Sequence, residues 1–196
     1  MKKSYDYLAV APVNMGEKFL NLIHEEIAHH EAGRPAHIIA KMNSLEDPVM
    51  CEALYEASQK GVPIDLIVRG FCCARPRVQG LSDNLNVISI LGRFLEHSRL
   101  FYFRAGGEKI LDGKFFISSA DWMPRNLKGR VEVAAPILNR ENKRKCWNIL
   151  KYMLADTHQS WVLDSDGKYH LKVGAKKRTL GVQERLIFQA QTLYEA

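Results

Sequence analysis

The sequence contains no apolar run near the roughly 20 residues that a membrane-spanning helix needs. Its N-terminus is basic, but no apolar stretch follows, which argues against a secretory signal. The four cysteines, Cys51, Cys72, Cys73 and Cys146, lack the C-x-x-C spacing of zinc and redox sites and are expected to be free thiols in a reducing compartment. We therefore expect a cytoplasmic protein with no transmembrane segment, one that could still lie peripheral to a membrane.

The common phosphate- and metal-binding motifs are also missing. The chain has no G-x-x-x-x-G-K-[ST] loop, no G-x-G-x-x-G turn and no H-E-x-x-H helix. If the protein handles phosphate, it must therefore do so with side chains rather than with a glycine-rich loop. The net charge of +6 favours an anionic partner without saying which kind.

The length and composition are those of an ordinary folded domain. The chain has 196 residues, enough to bury a core without disulfides or metal. Hydrophobic residues make up 46% and charged residues 26%, which argues against disorder. We expect residues 1–196 to form a single domain.

Strand-like and helix-like segments alternate along the first half of the chain. Four short apolar segments have strand character: 7–11, 37–40, 64–68 and 86–90. Helical periodicity follows the first two. Asn14 and Glu17 form a predicted capping box before the first helix, and Asp47 before a proline is the predicted N-cap of the second.

The second half of the chain adds more strands and two helices. Strands are predicted at 100–103, 115–117 and 130–134, and helices at 141–154 and about 182–194. The β-α-β-α-β order of the first half predicts an α/β fold. We expect a mixed, largely parallel sheet, helices on both of its faces and a C-terminal helical tail.

Two basic residues lie where the second and third predicted strands end. Ligands of parallel sheets bind beyond the carboxyl ends of the strands. Arg69 directly follows the third strand, and Lys41 ends the second. Either could bind an anion there, and a solvated strand-end lysine is the alternative for Lys41. Asn43 could orient a phosphate or simply form a turn.

His97 and Arg99 are two residues apart, immediately before an apolar strand. Residues with this spacing share a face of a strand. A neighbouring cation disfavours a second positive charge on the imidazole, and a neutral imidazole is a nucleophile or general base. The guanidinium could hold phosphoryl oxygens in a forked geometry. The alternative is a surface histidine at the start of a strand.

A longer pattern resembles the phospholipase D superfamily. His97-x-Arg99 is followed by an Asp-Gly turn, an apolar strand and the string Ser118-Ser119-Ala120-Asp121. The superfamily has His-x-Lys and a Gly-Ser-x-Asn strand end, so this chain carries arginine in place of lysine and Asp121 in place of asparagine. Members pair two such motifs at one site, and this chain has one.

A closer resemblance covers nearly the whole chain. Four strings, at 38–45, 67–73, 94–99 and 117–126, resemble the C-terminal, second phospholipase-D-like domain of bacterial polyphosphate kinases. The resemblance implies a phospholipase-D-like fold and reversible transfer of the terminal phosphoryl group of ATP to inorganic polyphosphate, with Mg²⁺. It also implies that the other domains of the same enzyme are partners. We expect no nucleic-acid partner and leave a homo-oligomer open.

The resemblance assigns residues to the site. It implies that His97 is catalytic, that ATP and polyphosphate contact basic and polar residues, and that further residues support them. The phosphate-binding set is Arg69, His97, Arg99, Lys41 and Asn43, and the supporting pair is Asp121 and Arg125. For Asp121 we expect a structural ion pair with an arginine such as Arg125. No carboxylate cluster stands out as a ligand for Mg²⁺, which would enter with the nucleotide.

The family's phosphorylated histidine lies in the preceding domain, in a His-Leu-Gly-Thr-Gly-Asn type of segment that this chain lacks. We therefore expect half of a two-domain site, with little turnover by the isolated chain. Two alternatives remain. The first is a phosphodiesterase that pairs two copies of His97 in a homodimer, and the second is a non-catalytic module that binds polyanions.

Overall fold

The computed structural model describes residues 5, 7–173 and 180–194. The strands of these residues are β1 (Ala9–Ala11), β2 (Ile38–Met42), β3 (Ile64–Val68), β4 (Leu85–Ile90), β5 (Leu100–Phe103), β6 (Lys114–Ser118), β7 (Glu132–Pro136), β8 (Ser160–Leu163) and β9 (Tyr169–Leu171). The α-helices are α1 (Met15–Glu31), α2 (Pro48–Gln59), α3 (Arg140–Ala155) and α4 (Val182–Tyr194). Two short turns, 3-10 at Ile110–Asp112 and π-helical at Arg125–Gly129, complete the regular structure.

The strands form one mixed sheet in the order β1-β7-β6-β5-β2-β3-β4-β8-β9. β3 pairs in parallel with β2 and with β4, and the other pairs of this sheet are antiparallel. The prediction of a mixed sheet is confirmed, but the expected predominance of parallel strands is wrong. A parallel pair needs a long crossover such as α2, whereas the short connections from β5 to β6 and from β8 to β9 join antiparallel neighbours.

Helices cover both faces of the sheet, as predicted, because side chains alternate along the central strands. On β2, Ile38, Ala40 and Met42 face one core, which also contains the apolar sides of α1 and α2. Ile39 faces the other core, which contains apolar residues of α3 and the start of α4. Because both faces of the central strands are buried, the register of these strands is fixed. The positions of the residues that follow the strands are fixed with it.

The two predicted helix starts differ in outcome. Asp47 caps α2 as expected, with its carboxylate accepting a hydrogen bond from Met50 N at 3.1 Å. The capping box at α1 is wrong. The Asn14 side chain turns back instead, and its Oδ1 accepts a hydrogen bond from Val10 N at 2.7 Å.

The end of the chain contains one unpredicted feature and one confirmed one. The hairpin of β8 and β9 extends the sheet beyond β4, and its turn places Gly167 at a φ of +84°. The predicted C-terminal helix is present as α4 and packs through Val182 onto the second core. Among the helices that the structure describes, none is long and apolar enough to cross a bilayer.

The cysteines are free, as predicted. Burial raises the pKa of the Cys51 thiol to about 12 and that of the Cys72 thiol to about 11. Both thiols therefore stay protonated near neutral pH, which makes them poor nucleophiles and poor metal ligands.

Candidate anion-binding site

Four central strands bring the predicted site residues to one edge of the sheet. Lys41 is near the end of β2, next to the end of β3 and the start of β5, because it pairs with Ile67 on one side and with Leu100 on the other. Leu100 in turn pairs with Ile117, near the end of β6. The segments that carry the candidate residues Asn43, Arg69, His97, Arg99 and Asp121 therefore converge at this edge.

The His97 imidazole lies between two guanidinium groups. Its Nδ1 is 3.4 Å from Arg69 Nη2, and its Nε2 is 3.4 Å from Arg99 Nη2. A neutral imidazole has one acceptor nitrogen, so only one of these contacts can be a hydrogen bond at a time. An anion beside the ring could accept hydrogen bonds from both arginines.

The two arginines also donate hydrogen bonds to the main chain on either side of the His97 ring. Arg69 Nη1 donates to Glu96 O at 2.9 Å, and Arg99 Nη1 donates to His97 O at 3.0 Å. The two guanidinium groups thus fix the backbone on both sides of the imidazole. The i, i+2 spacing predicted the nearness of Arg99, although residues 97–99 precede β5 and are not part of it.

Glu96 is a member of the site that sequence reasoning missed. Its carboxylate forms an ion pair with the buried Lys41 ammonium group and accepts a hydrogen bond from Ser98 N at 2.8 Å. Lys41 Nζ also donates to Ser98 O. The signal available in the sequence was the acidic residue next to His97, among basic neighbours. A buried lysine such as Lys41 needs a nearby carboxylate, and Glu96 supplies it. Lys41 therefore holds the segment on both sides of His97.

Asp121 organises the other side of the site. Arg99 donates to its two carboxylate oxygens, from Nε at 3.1 Å and from Nη2 at 3.0 Å. Asn43 donates to Asp121 Oδ1 from its main-chain N at 2.7 Å and from its Nδ2 at 3.3 Å. The expected ion pair of Asp121 is present, but its partner is Arg99 rather than Arg125. Arg125 is exposed at the start of the π-helical turn and lies outside this cluster.

The pKa values of the paired groups follow from burial and partners. Burial lowers the pKa of Lys41, and the hydrogen bond with Glu96 only partly offsets this. Burial raises the pKa of Glu96, but the hydrogen bonds from Lys41 and Ser98 outweigh it, and the net pKa lies below its usual value. Burial likewise raises the pKa of Asp121, and the bonds from Arg99 and Asn43 bring it below its usual value. Both carboxylates are therefore ionised at neutral pH.

Arg69 differs from the other two cations of the site. Lys41 is paired with Glu96 and Arg99 with Asp121, whereas Arg69, within the described part of the chain, has no carboxylate partner. Arg69 is half-buried, directly after β3. Its charge is therefore the one that an incoming anion can neutralise.

The side chains do not form a ready site for a divalent cation. Both carboxylates at this edge are already bound by cations and amide groups. Residues 5, 7–173 and 180–194 contain no group of three His, Cys, Asp or Glu side chains close enough to hold a metal ion.

A small cavity of about 30 Å³ lies beside Lys41 and Arg69, with room for about one water molecule. Its other walls include Glu96, and Val182 and Gln183 from the first turn of α4. The C-terminal helix therefore reaches the candidate site, which sequence reasoning did not anticipate.

Comparisons with known proteins agree on one family. The family model described as "Polyphosphate kinase C-terminal domain 2" matches residues 8–183. A polyphosphate kinase from Synechocystis sp. is 47% identical over 99% of this chain, which covers 26% of that protein. The chain thus spans about a quarter of the length of the curated relatives it matches.

Solved structures give the same result for the fold. The crystal structure of polyphosphate kinase from Porphyromonas gingivalis matches all of this chain with a TM-score of 0.92 and 36% identity, over 29% of its own length. Nuc from Salmonella typhimurium, a phospholipase D family member, matches 81% of this chain and 97% of its own, with a TM-score of 0.54 and 12% identity. The fold is therefore phospholipase-D-like.

Proposed function

The chain belongs to the polyphosphate kinase family, as its C-terminal domain 2, and we propose that it supplies half of a site that moves the terminal phosphoryl group of ATP reversibly onto inorganic polyphosphate. The observation that carries the proposal is the position of His97 between Arg69 and Arg99. ATP, ADP and polyphosphate are the substrates. The other domains of the same enzyme are the partners.

The chemistry of phosphoryl transfer fits this arrangement. The transition state is loose, and catalysis depends on positioning and on neutralising the charge of the phosphoryl oxygens. Arg69 is the cation free to bind those oxygens, and a guanidinium can do so with two parallel hydrogen bonds. Arg99 donates its remaining N–H groups to the phosphoryl oxygens, while Asp121 fixes the orientation of its guanidinium group.

We assign supporting roles to the other predicted residues. Lys41 acts through Glu96 and Ser98, by holding the segment that carries His97. Asn43 acts through Asp121, which it holds with two hydrogen bonds. Because both side chains are buried and engaged, their contribution to phosphate binding is indirect.

In the transfer step, a histidine of the preceding domain attacks the γ-phosphorus of ATP. A P–N bond forms, the P–O bond to the β-phosphate breaks, and ADP leaves with the electron pair. A terminal oxygen of polyphosphate then attacks the same phosphorus, the P–N bond breaks with its electron pair returning to the histidine, and the polyphosphate is one phosphate longer. His97 faces this histidine across the phosphorus, as a general acid and base or as a transient phosphoryl acceptor. The reverse sequence makes ATP from ADP and polyphosphate.

Mg²⁺ is the expected cofactor. Because the carboxylates of this edge are engaged with cations, we propose that the ion enters on the phosphates of the nucleotide. Two further expectations stay predictions: a cytoplasmic location, and a single domain over residues 1–196. Whether the protein forms a homo-oligomer stays open.

The test is ATP synthesis. The purified chain is mixed with polyphosphate, ADP and Mg²⁺, and ATP is read by luminescence, with His97→Ala as the control. We expect no ATP from either protein alone, and His97-dependent ATP once the preceding domain is added back. ATP from the unmutated chain alone would contradict the half-site.

Other outcomes separate the alternatives. His97-dependent hydrolysis of bis(p-nitrophenyl) phosphate by a dimer would indicate a phosphodiesterase instead. Activity in the reassembled enzyme that does not depend on His97, with polyphosphate binding that only salt weakens, would indicate a polyanion-binding module.

A further inference from the structure

The segment between β4 and β5, residues 91–99, carries His97 but has no regular secondary structure. Much of it is exposed, and Leu95 reaches 80% exposure. Such a segment has few buried apolar contacts to order it, so its position depends on specific hydrogen bonds. Arg69, Lys41 and Arg99 supply these bonds at its second half.

One side chain holds the first half of this segment. Gln183 Oε1 accepts a hydrogen bond from Phe94 N at 2.9 Å, and Gln183 Nε2 donates to Phe94 O at 2.9 Å. A primary amide can satisfy the N–H and the C=O of one residue together, as a neighbouring strand would. Gln183 is itself buried, and it lines the cavity beside Lys41 and Arg69.

Gly92 leaves room for this amide. A Cβ at Gly92 would lie 2.4 Å from Gln183 Oε1 and 2.8 Å from Gln159 Oε1. No residue other than glycine fits there without moving the Gln183 side chain. The absence of a side chain at Gly92 therefore allows the Gln183 amide to approach the main chain this closely.

The first turn of α4 is in turn fixed to the end of α3. One carboxylate oxygen of Asp156 accepts a hydrogen bond from Val182 N. The other accepts bonds from His158 N and Gln159 N, each at 2.8 Å. Val182 is buried in the second core. Gln183 therefore projects from a firmly held position.

We propose that Gln183 is a positioning residue, which holds the main chain of Phe94 so that His97 stays between Arg69 and Arg99. The C-terminal helix would thereby set the geometry of the candidate site without contacting the substrate. The consequence for anion binding rests on the proposed function, whereas the consequence for the His97 segment does not.

The test compares two variants with a matched control. Gln183→Ala deletes the amide, and Gly92→Ala displaces it while leaving Gln183 in the chain. The control is Gln189→Ala on the same helix, where the lost amide bonds only the Tyr152 hydroxyl at the surface. Unfolding midpoints check that each variant is folded. If Gln183→Ala does not fold, Gly92→Ala alone tests the proposal.

The first readout is local structure. Amide hydrogen exchange of residues 93–99 should become faster by about tenfold or more in both variants, with β2 and β3 unchanged. The NMR signals of the His97 imidazole should move or broaden. The control should change neither. Unaltered exchange and unaltered His97 signals in the folded variants would overturn the proposal.

The second readout is binding of tripolyphosphate, measured by calorimetry. Both variants should bind it about tenfold more weakly than the unmutated chain, and the control should not. Faster exchange of the segment with unchanged His97 signals and unchanged affinity would also overturn the proposal. If the unmutated chain binds no tripolyphosphate, the proposed function loses its support, and the His97 signals alone decide the role of Gln183.

Discussion

The Lys41–Glu96 ion pair should respond asymmetrically to its two single substitutions. The Lys41 side chain is 5% exposed, whereas that of Glu96 is 31% exposed. Glu96→Gln therefore leaves an ammonium group that water hardly reaches, while Lys41→Met leaves a carboxylate that can turn toward solvent. Removing one partner of a buried pair costs about 3–5 kcal/mol, and an exposed pair contributes about 0–1 kcal/mol. We expect losses of unfolding free energy of about 3 kcal/mol for Glu96→Gln and about 1 kcal/mol for Lys41→Met.

The same asymmetry should appear in the way the unfolding free energy depends on pH. Burial lowers the pKa of Lys41, and Glu96 raises it part of the way back. In Glu96→Gln the pKa of Lys41 falls further, so the folded protein releases this proton at a pH where the unfolded chain still binds it. Between the folded pKa and the unfolded value of about 10.4, stability rises with pH by at most about 1.4 kcal/mol per unit. The deficit of Glu96→Gln should therefore shrink as the pH rises from the folded pKa of Lys41 in the variant to its folded pKa in the unmutated protein.

Urea denaturation followed by tryptophan fluorescence measures both effects, provided that the m-value is unchanged. The matched control is Glu31→Gln in the Lys60–Glu31 pair, whose two side chains are each 51% exposed. It should leave the denaturation midpoint within error. A loss for Lys41→Met equal to or above that for Glu96→Gln, or a deficit that does not change with pH, would refute the reasoning.

Arg69→Ala removes the unpaired cation and should weaken tripolyphosphate binding about tenfold to a hundredfold in calorimetry; an unchanged affinity would contradict its assignment. Acid should destabilise the protein because the pKa values of Asp121 and Glu96 lie below their usual values. Their stabilisation is full above about pH 5 and is lost as the pH falls through the unfolded values, about 3.9 for Asp and about 4.3 for Glu, to the folded ones, so Asp121→Asn should flatten that part of a curve of unfolding free energy against pH. Asp47→Ala removes the cap of α2 and should lower the unfolding free energy by about 1 kcal/mol in urea; no change would mean that the cap is not stabilising.

Much of the fold could be predicted from local patterns. The strand at Ile64–Val68 has its predicted limits, and α2 begins where Asp47 and its following proline indicate. The direction of pairing could not be predicted in the same way, because it depends on the connections rather than on the strands. The strand at Ser160–Leu163 was missed because it is short and half exposed, and its partner β4 is distant in the sequence.

The site shows the same limit at the level of side chains. The order of predicted strands placed cations at strand ends, and the resemblance to polyphosphate kinases indicated which of these cations belong to the site. Which carboxylate pairs with which cation depends on register. Lys41 meets the segment before Leu100 because β2 and β5 pair antiparallel there, and Asp121 meets Arg99, which donates to both of its oxygens. Gln183 carries no sequence signal, since its partner is the main chain of Phe94.

The pairing explains how the proposed anion-binding site can contain two carboxylates. Three unpaired cations at one edge would repel one another and would resist burial beside the second core. Glu96 and Asp121 neutralise Lys41 and Arg99 and orient them, and one net positive charge remains on Arg69. In the proposed function the paired groups therefore fix the geometry, and the charge of Arg69 is available to attract the ligand. A phosphate that reaches Arg69 finds His97 and Arg99 already in place, so little of its binding free energy is needed to order them.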